Sequence, residues 1–203
     1  LGVHGWLHDA ADQSDVTGYV ASGERLGWLM LGFQAYELGL CAFAAASDKR
    51  TCKALCGPGN VMVGHHLIVL LLATLCVTGQ YLHAYGLFFF GVPEVSSVPL
   101  VLVDFFKAFP LARSRHAALN EASRVAFAAG FLAIRCVWWP IVSYCFWCDI
   151  IADQREEART PFHLPLIFAV CNVLMTGLQF FWGSKIVAAL VKMAAGDPPH
   201  KEA

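Results

Sequence analysis

The sequence predicts an all-α fold, a polytopic transmembrane helical bundle with about five spans. Of the 203 residues, 58% are hydrophobic and only 14% are charged, and the mean hydropathy is +0.57. In soluble domains about a quarter of the residues are charged. The apolar residues fall in blocks of roughly 20, which is the length that crosses a bilayer as a helix. An alternating polar and apolar pattern of about ten residues does not recur, which argues against a transmembrane barrel.

Five apolar blocks follow one another along the chain, and each is long enough for one spanning helix. The second ends at a break near Gly79, and the fourth contains the run Trp138-Trp139-Pro140. The predicted spans are residues 26–46, 60–79, 81–109, 125–147 and 164–189.

The third block is longer than a bilayer requires and contains Pro93 and Pro99. Each half alone is too short to cross, so we interpret the block as one kinked span. Proline is tolerated in a membrane helix when neighbouring groups satisfy the freed carbonyls. If the block splits instead, the number of spans is six.

The ends of the chain are more polar than the blocks. Residues 1–25 are predicted to form an extramembrane arm, with Asp9, Asp12 and Asp15 and without a basic residue before Arg25. Residues 26–193 form the predicted transmembrane domain, and residues 194–203 form a short tail. A targeting peptide is not recognisable at the start of the sequence.

The basic residues predict an orientation. If the amino terminus lies outside, ten of the fourteen Lys and Arg residues fall on inner segments and three on outer segments. The positive-inside rule then places the carboxyl terminus inside, which requires an odd number of spans. The net charge of −1 excludes the strongly basic surface that nucleic-acid binding needs. The inner basic residues are Lys49, Arg50, Lys53, Lys107, Arg113, Arg115, Arg124, Lys185, Lys192 and Lys201.

Several polar side chains fall at bilayer depth, where an ionisable group costs at least ~2.5 kcal/mol on insertion scales. We predict that they line a polar cavity, in which Arg135 takes Glu94 or Glu37 as its counter-charge. The alternative is an internal ion pair that only fixes the helix register. The predicted cavity residues are Glu37, His65, His66, Glu94, Ser96, Ser97, Arg135, Asn172, Gln179 and Trp182.

The two adjacent histidines point about 100° apart on a helix, so His65 and His66 cannot easily chelate one metal ion. One can serve as an acid, a base or a ligand while the other packs or caps, and a purely structural role is the alternative. No metal site is predicted. Cys145 and Cys148 form a CxxC pair at the end of the fourth span, which an oxidising compartment would allow to close as a disulfide.

Several motifs follow one another along the chain: Tyr36-Glu37, Gly64-His65-His66, Glu94-Val95-Ser96-Ser97-x-Pro99, Asn120, Arg135 and Asn172-x6-Gln179-x2-Trp182-x2-Lys185. Their order resembles the TLC domain, named for the TRAM, LAG1 and CLN8 proteins, over roughly residues 26–193. The closer resemblance is to the small TLC-domain-containing proteins, in which Glu-Leu-Ser-Thr-Pro follows the histidine pair.

The resemblance implies helices that enclose a lipid-accessible cavity. The ceramide synthases of the family pair two histidines with His-Asp-x-x-Asp, but this chain has Pro93-Glu94-x-x-Ser97 there. Because both aspartates are replaced, we do not expect ceramide synthesis.

Three functions remain from the sequence. The first is a membrane protein that binds or handles lipid in an intramembrane cavity without catalysis. The second is an accessory subunit of a respiratory or photosynthetic membrane complex. The third is a diverged acyl-CoA-dependent acyltransferase that uses His65 or His66.

The partners and the location differ among these three functions. The expected partners are membrane lipids, with other membrane subunits in the second case and nucleic acid in none. No cofactor is predicted apart from a bound lipid, and a pigment fits only the subunit hypothesis. The resemblance implies a multi-pass protein of the endoplasmic reticulum, whereas the subunit hypothesis implies a mitochondrion or a plastid.

Overall fold

The computed structural model describes residues 2–8, 19–48, 61–156 and 163–195, and these residues form helices without a strand. In chain order the helices are α1 (Gly2–His8), α2 (Ala21–Ser47), α3 (Met62–Gly79), α4 (His83–Gly91), α5 (Glu94–Ala108), α6 (Pro110–Arg115), α7 (Ala117–Phe131), a π-helical segment (Leu132–Trp138), α8 (Trp139–Glu156) and α9 (His163–Ala194).

Five helical stretches are long and apolar enough to cross a membrane, which confirms the predicted fold class. Several extend beyond the predicted limits, because polar residues at a helix end continue the backbone hydrogen bonds after the apolar block stops. The stretches are Ala21–Ser47, Met62–Gly79, His83–Ala108, Ala117–Gln154 and His163–Ala194.

The two prolines of the third span occupy different positions. Pro93 lies between α4 and α5 as the N-terminal cap of α5, with a φ of −60°. The start of a helix accepts proline because an amide proton there has no partner within the helix. Pro99 lies inside α5, which continues through it. The interruption of the span is therefore at Pro93.

The helices form two compact units. The first unit contains Leu1–Val92 and Phe146–Asn172. Its centre is α4, which is apolar on all sides and is buried over most of its length, as such a helix must be. Phe88 and Leu87 are inaccessible to solvent. The Trp6 ring packs on the Phe88 ring with 5.2 Å between centroids, and the Phe146 ring contacts the Tyr85 ring edge-on at 5.3 Å.

Within the first unit, α2 approaches α4 closely at a glycine. A Cβ atom at Gly23 would overlap the carbonyl oxygen of His83 and would lie 2.8 Å from the carbonyl carbon. Both are backbone atoms, which cannot turn away as a side chain can.

Gly23→Ala is therefore expected to destabilise the protein by about 1–3 kcal/mol, because α2 must move away from α4. Gly32→Ala in the same helix is the matched control, since nothing lies within 4 Å of its Cβ position. The control is expected to be neutral or slightly stabilising, because alanine favours helix over glycine. Unfolding in detergent, followed by tryptophan fluorescence, measures the difference. Equal stability of the two variants would contradict the close approach.

The second unit contains Pro93–Cys145 and Val173–Ala203. In it α5 packs against α7, and Val103, Phe106, Ala128 and Phe131 are buried. The fourth span changes to π-helical winding over Leu132–Trp138, where the amide of Trp139 donates to the carbonyl of Ile134. Pro140 follows directly and lacks the amide proton that the preceding turn would use. The π-helical turn therefore lies directly before Pro140, which cannot donate a regular α-helical hydrogen bond.

Large apolar side chains are exposed on all five candidate spans, including Phe43, Leu71, Val101, Val137 and Val191. Lipid tails cover such surfaces in a membrane, so these faces fit the predicted class. Parts of the predicted arm, the basic first loop with Cys52 and Cys56, and most of the tail lie outside the described residues.

Candidate functional site

Arg135 is the centre of a polar cluster in the second unit. It lies in the π-helical segment and is buried, with 9% of its surface exposed. Its Nε donates to Ser96 Oγ at 3.0 Å, and its Nη2 donates to the Pro93 carbonyl at 3.1 Å and to Ser97 Oγ at 3.0 Å. The guanidinium therefore contacts the start of α5 through three acceptors.

Glu94 is the counter-charge of Arg135. Its Oε1 lies 3.6 Å from Arg135 Nη2, and its side chain is half-exposed. The predicted pairing of Arg135 with Glu94 is thus present. On the other side the guanidinium carbon lies 5.4 Å from the centroid of the Phe131 ring, within cation–π range.

The start of α5 is held so that these acceptors point toward Arg135. The Pro93 carbonyl accepts from the amide of Ser96 at 3.1 Å and from its hydroxyl at 2.7 Å. Ser96 Oγ therefore donates to Pro93 and accepts from Arg135. Gly130 of α7 lies opposite, where an added Cβ would be 3.5 Å from the Ser96 Cβ. A Cβ atom there would make only an ordinary van der Waals contact, so α7 lies beside this turn without requiring a glycine.

A second polar position in this unit lies on α9. Gln179 is 1% exposed, and its side-chain oxygen Oε1 accepts no hydrogen bond within the described part of the chain. Its backbone carbonyl accepts from Cys136 Sγ at 3.8 Å, next to Arg135 in sequence. The Trp139 indole donates to Thr176 Oγ1 at 2.9 Å, one turn earlier on α9. These contacts join α9 to the end of the π-helical segment.

The histidine pair belongs to the first unit. His66 Nδ1 lies 2.6 Å from Gln34 Oε1, and the Gln34 amide donates to the Met30 sulfur at 3.1 Å. Because an amide oxygen only accepts, His66 Nδ1 carries the proton. His65 and His66 are both half-buried, and their rings meet edge-on at 5.4 Å.

The remaining predicted cavity residues are placed as follows. Glu37 is half-buried on α2, one turn after Gln34. Asn172 is buried, with 5% exposed, and Trp182 is partly buried. Of the ten predicted residues, the structure joins Glu94, Ser96, Ser97 and Arg135 by direct contacts. It also joins His65 to His66.

Three polar residues of the first unit were not predicted. Gln34 is 3% exposed and contacts His66, and His83 is inaccessible to solvent. The hydroxyl of Tyr81 is buried and has no partner among the residues described. Burial raises the pKa of Tyr81, and the negative charge of Asp153 raises it further. Each of the three is a polar residue inside or beside an apolar block, which is the signal that would have found them.

His83 connects three chain segments. Its Nδ1 accepts from the amide of Val20, 3.4 Å away, and its Nε2 donates to the carbonyl of Cys76 at 3.1 Å. Val20 directly precedes α2, while Cys76 lies in the last turn of α3. His83 is therefore neutral, with its proton on Nε2, and holds two helix ends together.

The described residues contain no group of three or more His, Cys, Asp or Glu side chains that could hold a metal ion. Cys145 and Cys148 are both exposed and are free thiols in this structure. The arrangement around Arg135 is thus a buried cation with hydroxyl and carbonyl partners. Such a cluster can bind a polar or anionic group at membrane depth.

Comparison with known protein families identifies the family to which the chain belongs. The chain matches the TLC domain of the TRAM, LAG1 and CLN8 family over residues 4–188. It is therefore a multi-pass membrane protein that belongs to the TLC-domain family. Comparison with curated proteins and with solved structures gives no further match.

Proposed function

We propose that this TLC-domain protein binds a membrane lipid inside its helices and acts without catalysis, in lipid transport, sensing or homeostasis. The observation that carries this proposal is Arg135, a cation buried within a membrane span. A charge at this depth is expensive, so a role beyond packing is the expected reason for it.

A purely structural role for Arg135 is the main alternative to ligand binding. A buried ion pair is often no more stabilising than a good apolar contact, so the pair alone does not decide between the two. The fully buried Gln179 side chain favours a ligand, because its Oε1 lacks a donor within the described residues. A buried acceptor without a donor costs about 1–3 kcal/mol, which a lipid hydroxyl or a bound water would recover.

The large exposed apolar faces are consistent with a lipid reaching the interior from the bilayer. They would serve equally for packing in a larger membrane assembly, so they do not separate lipid binding from the subunit hypothesis. The acyltransferase hypothesis depends on His65 or His66. Gln34 would orient His66, whose Nδ1 lies 2.6 Å from Gln34 Oε1.

The endoplasmic reticulum is the location we propose, following the family resemblance, with the carboxyl terminus on the side that carries the basic loops. The chain resembles the small TLC-domain-containing proteins more than the ceramide synthases. Glu94 and Ser97 stand where the ceramide synthase motif has two aspartates, and this difference supports a non-catalytic role.

Purification from the native membrane in mild detergent tests the proposal. Native mass spectrometry is expected to find about one lipid molecule per chain, in a class that is enriched relative to the bulk membrane. A monomer that carries only the bulk lipid mixture, lost on dilution into fresh detergent, would contradict lipid binding. Recovery only within a large assembly would support the subunit hypothesis instead.

A further inference from the structure

Arg135 uses two of its three guanidinium nitrogens. Nε bonds to Ser96, and Nη2 bonds to both Pro93 and Ser97. The third nitrogen, Nη1, donates to no acceptor in the described residues and keeps some exposed surface. Because guanidinium presents its donors in a fixed plane, Nη1 has two N–H groups available for a ligand.

Ser97 offers a second donor beside Arg135. Its Oγ accepts from Arg135 Nη2, so its own proton points elsewhere, and within the described residues it goes to no acceptor. Ser96 differs, because its proton is already donated to the Pro93 carbonyl. Arg135 and Ser97 therefore present unused donors from neighbouring positions.

The Glu94 carboxylate is held less firmly by Arg135 than the other acceptors of this cluster are. At 3.6 Å its carboxylate is beyond hydrogen-bond distance of Arg135 Nη2, whose two protons are given to Pro93 and Ser97. The Glu94 side chain is 49% exposed, whereas that of Arg135 is 10% exposed. The carboxylate can therefore turn away into its accessible surroundings without breaking a hydrogen bond to Arg135.

The start of α5 adds positive potential. Glu94 is the first residue of α5, and the N-terminal end of a helix carries a partial positive charge. A buried arginine beside this end brings two positive sources together. Among the described residues, the acidic side chain paired with Arg135 is the loosely held Glu94, so an incoming anion is favoured at the same place.

We propose that Arg135 Nη1 and the Ser97 hydroxyl bind the oxyanion of a lipid, a phosphate or a carboxylate, and that Glu94 is the exchangeable counter-ion which this anion displaces. The inference rests on the proposed function and specifies the chemistry of the lipid head. The acyl chains would lie along the exposed apolar surface of the same unit, which includes Val95, Val98 and Leu102.

Titration of the purified full-length chain in detergent tests the inference with three probes of equal chain length. The probes are dioctanoyl phosphatidate, octanoate and dioctanoylglycerol. We expect phosphatidate, octanoate or both to bind, and dioctanoylglycerol to bind at least tenfold more weakly. Binding of phosphatidate alone identifies a phosphate site, and binding of octanoate alone identifies a carboxylate site.

Two variants, the first of them with a matched control, make the test specific. Glu94→Gln is expected to tighten binding of the anion about tenfold, because the competing charge is gone. Glu121→Gln is its control, since Glu121 forms an exposed pair with Arg124 at 3.4 Å on α7. The affinity of this control variant for the anion should equal that of the wild type. Ser97→Ala is expected to weaken binding about tenfold by removing one donor.

Failure of the oxyanion site and failure of the proposed function give different results. Equal binding of dioctanoylglycerol and phosphatidate, or weaker binding by Glu94→Gln in a protein that unfolds like the wild type, would overturn the oxyanion site. The proposed function would survive either result if a neutral lipid co-purifies. If no probe binds, the oxyanion site is overturned, and the absence of any co-purifying lipid would overturn the proposed function as well.

Discussion

Arg135→Met is expected to lower the free energy of unfolding by about 2–4 kcal/mol and to remove the bound lipid. The substitution leaves Ser97 without its donor, takes one donor from Ser96 and leaves Glu94 without its counter-charge. Hydrogen bonds to a charged group contribute about 1.5–3 kcal/mol each, but removing the buried charge also recovers its desolvation cost, so the net loss is smaller than the sum of the three bonds. Glu94 is half-exposed, so the carboxylate left behind costs less than a buried one would.

Arg124→Met is the matched control, because it removes the same residue type from the same span. Arg124 is exposed and pairs with Glu121 three residues away. Exposed pairs of this kind contribute about 0–1 kcal/mol, so little change is expected in stability or in bound lipid. Unfolding in detergent and lipid quantification by mass spectrometry give both values. Wild-type behaviour of Arg135→Met in both assays would show that the cluster has neither role.

Arg135→Lys separates charge from geometry. Lysine keeps the positive charge but presents one nitrogen, which cannot reach all three acceptors as the guanidinium does. The variant is expected to lie between the wild type and Arg135→Met in stability. If it matches the wild type, the charge alone is sufficient and the hydrogen-bond geometry is incidental.

His83→Leu is the second large effect we expect, a loss of about 2–3 kcal/mol. Leucine removes the acceptor for the buried amide of Val20 and one donor to the carbonyl of Cys76. The carbonyl keeps the amides of Gln80 and Tyr81 as donors, so the unsatisfied Val20 amide accounts for most of the cost.

The control for this position is His163→Leu. His163 is exposed at the first residue of α9, and its replacement should change stability by less than about 0.5 kcal/mol. The same unfolding measurement serves both variants. An equal effect of the two would mean that His83 does not hold the ends of α2 and α3 together.

The spans were predictable because their signal is additive over about 20 residues and does not depend on side-chain contacts. Arg135 and Glu94 were predictable for a related reason, since each is an ionisable group inside an apolar block. The break at Pro93 follows from the missing amide proton of proline. That Pro99 stays within α5 depends on its local surroundings, which the pattern does not contain.

The contacts around Arg135 were beyond the sequence pattern in their detail. Ser96 and Ser97 are adjacent, and both meet the guanidinium because the turn at Pro93 and the π-helical segment set their directions. A helix of regular period would point Arg135 to another angle. His83 was overlooked because a single histidine within an aromatic run resembles a packed core residue until its two partners are known.

The central claim is that a lipid occupies the cluster at Arg135, and photo-crosslinking tests it most directly. A photoactivatable analogue of the co-purified lipid is added to the protein in detergent, and the labelled peptides are mapped by mass spectrometry. We expect saturable labelling of residues 93–97 and 131–138 that unlabelled lipid competes away, that Arg135→Met abolishes and that Arg124→Met retains. Labelling confined to outward-facing residues, unchanged by unlabelled lipid, would contradict the claim.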